Sequence, residues 1–266
     1  MIIADQHMHS LCSPDGTASL EEMADAAVRA GLQSITFTEH MDMDFPYDPW
    51  PELDTLGYRA RFLRAQQEFV GRLELGWGVE FGMQPHLVER GQAFIRSNPF
   101  DFVIASGHTT HGKLPTSQSF FQGRPKQEAL QEYFADLAHN LALFDDYDVC
   151  GHIDYLLRYA PGTDTDCSSA DYADLVDQIL TILVDKGKGV EVNTGAYRYG
   201  MQEPNPCRNI LRRFRELGGQ IVTIGSDAHC PQDVGGGFDL ARQVLLDCGF
   251  DHYAVFHRRQ PTFIAL

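Results

Sequence analysis

Two histidines one residue apart, His7 and His9, follow a short apolar opening, Ile2-Ile3-Ala4. In extended backbone, residues i and i+2 point to the same side, so the pair can aim two imidazoles at one point. A strand offers nitrogen ligands to a divalent cation in this way. The plainer alternative is one packed and one solvated imidazole, and an isolated H-x-H does not decide between them. The rest of the chain does. His40 follows a β-rich run at 34–38, Glu80 ends the run at 74–80, and His108 follows the apolar run at 101–106. His152 comes just after Asp148-Val149-Cys150, and Asp227 and His229 come just after Gln220–Gly225. Nearly every strong metal ligand therefore stands at the C-terminal end of an expected strand. Imidazole and carboxylate donors in that number imply several divalent ions close together, with carboxylates able to bridge them. Such a cluster makes hydroxide available at neutral pH and clamps both oxygens of an in-line displacement, which is phosphate-ester or, less often, amide hydrolysis.

The elements that must position these side chains alternate. Ser19, with Glu22 three residues on, reads as a capping box before a helical stripe of Leu20, Met23, Ala24, Ala27 and Val28 that ends at Gly31. Further helices are expected at 58–72, 86–97, 126–144, 170–186 and 207–217, the last with Pro206 at its first position, and a final one at 237–246. Gly189–Asn193 is a strand, and Thr262–Ile264 a small terminal one. The stretches 41–56 and 109–124 read as long loops, the first bordering a substrate pocket. Strand–helix alternation implies a parallel sheet with right-handed crossovers, and seven passes imply a closed or nearly closed barrel. Chemistry in such barrels gathers at the C-terminal ends of the strands. Without repeat, low-complexity tract or linker, residues 1–266 read as a single domain.

Composition narrows the function. Among 266 residues, Lys and Arg total 21 against 37 Asp and Glu, a formal charge of −16. With no basic run, such a surface disfavours nucleic acid and anionic membranes as partners. The six cysteines are scattered without C-x-x-C, which points to reduced thiols and a cytoplasmic setting. Neither a secretory signal nor a membrane span is expected. Self-association into a homo-oligomer is left open.

The residues together resemble the PHP (polymerase and histidinol phosphatase) family, and most closely its monofunctional histidinol-phosphatase branch. The likeness rests on DQHMHS with the following Asp15, FTEH at 37–40, GVEFG at 78–82, FVIASGH at 102–108, GHIDY at 151–155, EVNT at 191–194 and GSDAH at 225–229, in order along essentially the whole chain. It implies a distorted (β/α)7 TIM-like barrel around a trinuclear site of Zn, Mn or Fe. By that likeness His7, His9, Glu80 and Asp227 hold the first metal, and Glu80 bridges to a second held by His108 and His152. Asp15, His40 and His229 hold the third; many relatives have His where this chain has Asp15.

A phosphomonoesterase also needs cations on the phosphoryl group, and guanidinium makes bidentate contacts that Lys cannot copy. Arg158 and Arg198 are the candidates for phosphate binding, and the resemblance supports both. Asp227 or His229 is the candidate for handling the proton, while Asp5, Glu39 and Asp154 are candidates for orienting ligand imidazoles. Asp42 and Asp44 are candidates for a substrate amino group, and Asn193 for facing the pocket. The expected reaction is hydrolysis of L-histidinol phosphate, a small phosphorylated substrate, in histidine biosynthesis. Its rivals are a phosphoesterase for a nucleotide or sugar phosphate, a non-catalytic metal-binding domain, and an amidohydrolase. The last commonly carries a Lys among its strand ends, and none stands there.

Overall fold

Seven parallel strands follow one another in chain order: β1 Ala4–Met8, β2 Ser34–Met41, β3 Glu74–Gly82, β4 Phe102–Ser106, β5 Val149–Cys150, β6 Gly189–Asn193 and β7 Val222–Gly225. The structure is a computed structural model describing residues 1–47, 49–161 and 172–266. A parallel bridge between Met8 and Ala228 brings the last strand back to the first. Its bonds run from Asp227 N to His7 O and from His9 N to Ala228 O, each 2.8 Å. The result is a nearly closed (β/α)7 barrel, as expected. Burial on both faces explains the apolar runs in β4 and β7, because helices cover the outside of a parallel sheet.

The helices are α1 Leu20–Arg29, α2 Thr55–Glu68, α3 Val88–Ser97, the single turn α4 Gln118–Phe121, α5 Lys126–Leu143, α6 Ala173–Asp185, α7 Arg208–Glu216 and α8 Phe238–Asp247. α1 begins with the expected capping box: Ser19 accepts from Glu22 N, and the Glu22 side chain accepts from Ser19 N. α1 buries Leu20, Met23, Ala24 and Ala27 of the stripe read from the sequence, with Val28 half-buried at its end. The turn α4 interrupts the expected loop at 109–124. The expected start of α6 at 170 lies outside the described residues.

Three expectations need correction. Pro206 is not the first helical residue: it precedes the cap residue Cys207, after a cis Asn205–Pro206 bond. The terminal strand has a partner that the sequence reading missed. β8 His252–His257 pairs antiparallel with β9 Gln260–Ala265. Phe256 stacks on Phe102 at 5.0 Å, and its N–H donates to Gln6 Oε1, so the hairpin closes the barrel at the N-terminal ends of β1 and β4. Its interrupted apolar pattern hid it, since Ala254 and Phe256 are buried against the barrel rather than on a helix-covered sheet face. Finally, Cys207 is disulfide-bonded, while Cys12, Cys150, Cys230 and Cys248 are free thiols. Pairing of distant cysteines depends on tertiary proximity and leaves no local motif. Cys167 lies outside the described residues.

Candidate metal centre

His7 lies in β1 and His9 one residue beyond it. The register of β1 against β2 shifts between Asp5 and Met8, and Thr38 Oγ1 accepts from Met8 N at this irregularity, 3.2 Å away. Both imidazoles are fully buried, with their Nε2 atoms 3.0 Å apart. Glu80 Oε2, from β3, lies 3.3 Å from His7 Nε2 and 3.5 Å from His9 Nε2. Asp227 Oδ1, just past β7, lies 3.6 Å from each. Nitrogen and oxygen ligands held tetrahedrally about 2.0–2.1 Å from a zinc ion are separated from one another by roughly 3.3–3.4 Å. His7, His9 and Glu80 therefore fit a divalent cation between them, with Asp227 beside both histidines.

Glu80 is the hub. Its Oε1 lies 3.0 Å from His108 Nε2 and 2.9 Å from His152 Nε2, and accepts from Ser106 Oγ at 2.7 Å. His40 stands opposite Glu80 in the β2–β3 register, its Nδ1 3.0 Å from Glu80 Oε2 yet without a hydrogen bond. A buried imidazole nitrogen that close to a carboxylate, without hydrogen-bond geometry, suits a shared ion better than a shared proton. Asp15, from the loop after β1, puts Oδ2 3.2 Å from His229 Nε2 and Oδ1 3.7 Å from His40 Nε2. The His40 and His229 rings flank His9 at 4.1 and 4.2 Å. His7, His9, His40, Glu80, His108 and His229 form groups able to hold a metal ion, and Asp15, His152 and Asp227 lie against them. His40 touches Glu80 as well as Asp15, so it joins two of the expected groups.

The electrostatics follow from this crowding. Burial works to lower the His7 imidazole, but the charges of Glu191, Glu80 and Asp227 hold it well above its ordinary value. His9 is held well below it by burial and by His40 and His229. Burial works to raise Glu80, but His108, His7 and His40 hold it well below the usual carboxylate range. Burial works to raise Asp227 too, but His7, His9, His229 and Arg158 together hold it well below the usual carboxylate range. Burial would lower His108, yet Asp42 and Glu80 push it up to about 10. Opposite charges packed this densely favour ionised carboxylates beside positive charge, the environment that divalent cations occupy.

The supporting residues depart from expectation. Asp5 accepts from the backbone of His7, Ser226 and Gly235 and touches no imidazole. Asp154 accepts from Asn205 Nδ2 and Cys207 N. Glu39 acts at one remove: Ser13 Oγ donates to it and lies 3.1 Å from His9 Nδ1. Within the cluster, the carboxylates hydrogen-bonded to an imidazole Nδ1 are Glu191, 2.5 Å from His7, and Asp42, 2.7 Å from His108. Asp42 also accepts from Trp50 Nε1. It borders the cavity, but its oxygens are engaged. Asp44 pairs with Arg90 and His86 away from the cavity. The available signal for Glu191 was a buried acid inside an apolar parallel strand, GVEVN, which demands a partner.

Arg158 and Arg198 part company. Arg158 borders the cavity. Its Nε donates to Asn205 Oδ1 at 2.7 Å and its Nη2 to Asn193 Oδ1 at 2.8 Å, while Nη1 lies 3.5 Å from Asp227 Oδ2. Asp154 fixes Asn205, and Asn193 holds Arg158 instead of facing the cavity. Arg198 does not border the cavity; its Nη1 and Nη2 donate to the carbonyls of Ser226 and Asp227 at 2.7 and 2.6 Å. These bonds brace Asp227, whose φ of +54° is left-handed, a conformation Asp tolerates better than most residues. The Arg198 guanidinium thus clamps the backbone on either side of the Ser226–Asp227 peptide.

The cavity above the cluster measures ≈ 500 Å³ and is walled by Phe45, Trp50, Leu114, Tyr155, Tyr159 and Tyr199. Its size and aromatic lining suit a small molecule. The loop at 41–56 borders it through Phe45, Tyr47 and Trp50, as the sequence reading expected.

A parallel barrel with imidazoles and carboxylates gathered at one rim has the architecture of a barrel enzyme. The particular family follows from comparison. A model of the PHP domain matches residues 5–195, so the chain belongs to the PHP-domain family. It is 32% identical over 253 residues to the histidinol-phosphatase of Lactococcus lactis, covering 95% of this chain and 93% of the relative. It is also similar to the crystal structure of the Lactococcus lactis histidinol phosphate phosphatase complexed with zinc, L-histidinol and phosphate. That likeness has a TM-score of 0.88 at 29% identity, over 97% of this chain and 98% of that one. A Listeria monocytogenes structure has a TM-score of 0.76 at 19% identity, over 89% and 99%, which is a likeness of fold alone.

Proposed function

We propose that the chain is a metal-dependent phosphomonoesterase that hydrolyses L-histidinol phosphate to L-histidinol and phosphate, working in the cytoplasm in histidine biosynthesis as a single domain. The observation that carries the reaction class is the convergence of Glu80, Asp227, His40, His108, His152 and His229 beside Arg158 in one cavity, with His7 and His9 buried against Glu80 and Asp227. The substrate comes from the likeness to the Lactococcus lactis enzyme, which was crystallised with L-histidinol and phosphate.

In this reading three divalent ions, zinc, manganese or iron, are held by the donors. His7, His9, Glu80 and Asp227 take the first; Glu80, His108 and His152 the second; Asp15, His40 and His229 the third. Bound there, such ions supply a nucleophile from water at neutral pH and offset phosphoryl charge. The chain's own residues do the rest. Arg158, held by Asn193 and Asn205, binds phosphoryl oxygens from a fixed direction and needs no reorganisation as charge develops. Asp227 Oδ2 faces Arg158 Nη1 and is placed to move the proton toward the leaving alkoxide, with His229 beside it. The aromatic walls suit the flat imidazole of the substrate.

The test is phosphate release from L-histidinol phosphate beside a panel of nucleotide and sugar phosphates, with metal content measured on the same sample. Strong preference for histidinol phosphate with about three ions per chain is the expected result. Broad weak hydrolysis would discard the substrate but keep the phosphoesterase. Bound metal without turnover on any ester would overturn the enzyme reading.

A further inference from the structure

Glu191 is buried in the middle of β6, and its polar contacts run to His7, to the backbone of His152 and to Asn193. Oε1 lies 2.5 Å from His7 Nδ1. Oε2 accepts from His152 N at 2.9 Å. Asn193 Nδ2 lies 3.3 Å from both oxygens. One carboxylate on β6 thus joins the imidazole carried by β1 to the backbone that carries His152 after β5.

The surroundings leave room for this pair and for little else. A Cβ added at Gly225, on the adjacent β7, would stand 2.3 Å from His7 Cβ and 2.7 Å from Glu191 Oε1. The absence of a side chain at Gly225 is therefore what lets β1 and β6 meet across β7. His7 has two ring nitrogens. Nε2 points at His9, Glu80 and Asp227, and Nδ1 points away from them at Glu191. A carboxylate can only accept, so Nδ1 carries the proton in this pair. A neutral imidazole protonated at Nδ1 has its lone pair on Nε2, toward the other donors.

We propose that Glu191 is a positioning residue of the candidate metal centre: it holds His7 in the Nδ1–H tautomer and fixes His152 through its backbone, so that both offer Nε2 to the cluster. The inference rests on the metal-binding part of the proposed function. Glutamine at 191 has one carbonyl oxygen where the carboxylate had two, which serve His7 Nδ1 and His152 N, 184 and 39 residues away in sequence, besides Asn193 Nδ2. One of them must lose its acceptor.

The experiment compares wild type with Glu191→Gln, using zinc as the probe and a competing chelator to read affinity, with thermal melting of both metal-free proteins. Loss of such an imidazole partner weakens metal binding by about 10–100-fold. A weakening of that size, with metal-free melting temperatures alike, is the expected result. Equal zinc affinity in the two proteins overturns the proposal. So does a lower metal-free melting temperature with unchanged zinc affinity, since that marks Glu191 as structural only. Should the variant not fold, 15N chemical shifts of the zinc-loaded wild type decide. His7 protonated at Nδ1 supports the proposal, and protonation at Nε2 overturns it. A wild type that binds no zinc at all would instead mark failure of the metal-centre reading itself.

Discussion

Glu80 touches more of the cluster than any single imidazole does: His7, His9 and His40 on one oxygen, His108 and His152 on the other. Glu80→Gln removes the charge that these histidines share while keeping the shape. Zinc affinity is expected to fall on the order of 100-fold or more, read by chelator competition, with phosphatase activity falling alongside. Undiminished metal content in the variant would refute the hub role. Arg158 makes a separate prediction. Arg158→Lys keeps a charge but loses the planar fork that engages Asn193 and Asn205, so the cation is no longer aimed. KM for histidinol phosphate should rise on the order of 10-fold, with metal content unchanged. Steady-state kinetics that match wild type would remove Arg158 from the phosphate site.

At the scale of elements, the hairpin β8–β9 is fastened to the barrel by its turn. Arg259 Nε meets Asp148 Oδ2 at 2.5 Å, and the same oxygen accepts from Val103 N. Arg258 N and Arg259 N donate to Asp101, so the turn is fixed beside β4. Asp148 is buried, and burial raises its carboxyl above the ordinary range despite Arg259. Arg259→Ala leaves that carboxylate without its cation, a loss of about 1–3 kcal/mol. The raised folded-state value sets the pH dependence. A carboxyl whose value is higher in the folded than in the unfolded protein stabilises when protonated, and that contribution is lost as pH rises through the folded value. Removing Arg259 raises the folded value further. The deficit of the variant should therefore be largest at neutral pH and shrink on acidification, as denaturant melts at a series of pH values would reveal. A deficit that grows toward acid would contradict this account.

For the molecule as a whole, a chain of formal charge −16 gathers buried carboxylates and imidazoles into one end of its barrel. Ions bound only by the folded form stabilise it by mass action, about 2.7 kcal/mol at a free concentration 100 times Kd. Chelation should lower the melting temperature by several degrees, and added zinc should restore it in a concentration-dependent way. A melting temperature indifferent to both would argue against a cluster that binds metal. Among the described residues no helix is long and apolar enough to cross a membrane.

Much of this molecule was legible in the sequence, because two local patterns carry it. Alternating apolar runs and helical stripes determine a parallel barrel through strand and helix periodicity. His7, His9, His40, Glu80, His108, His152, Asp227 and His229 mark the C-terminal strand ends because a barrel gathers those ends at one rim. What the tertiary structure alone decided concerns partners far apart in the chain. Glu191 reaches His7 across 184 residues, Asp42 reaches His108 across 66, and Phe256 reaches Gln6 across 250. The same holds for the two arginines: both follow a strand and both are basic, yet one borders the cavity and the other clamps carbonyls. Residue type limits the bonds a side chain can make. Which of them it makes depends on what the closed barrel brings within about 3 Å, and that proximity is set by packing rather than by spacing along the chain.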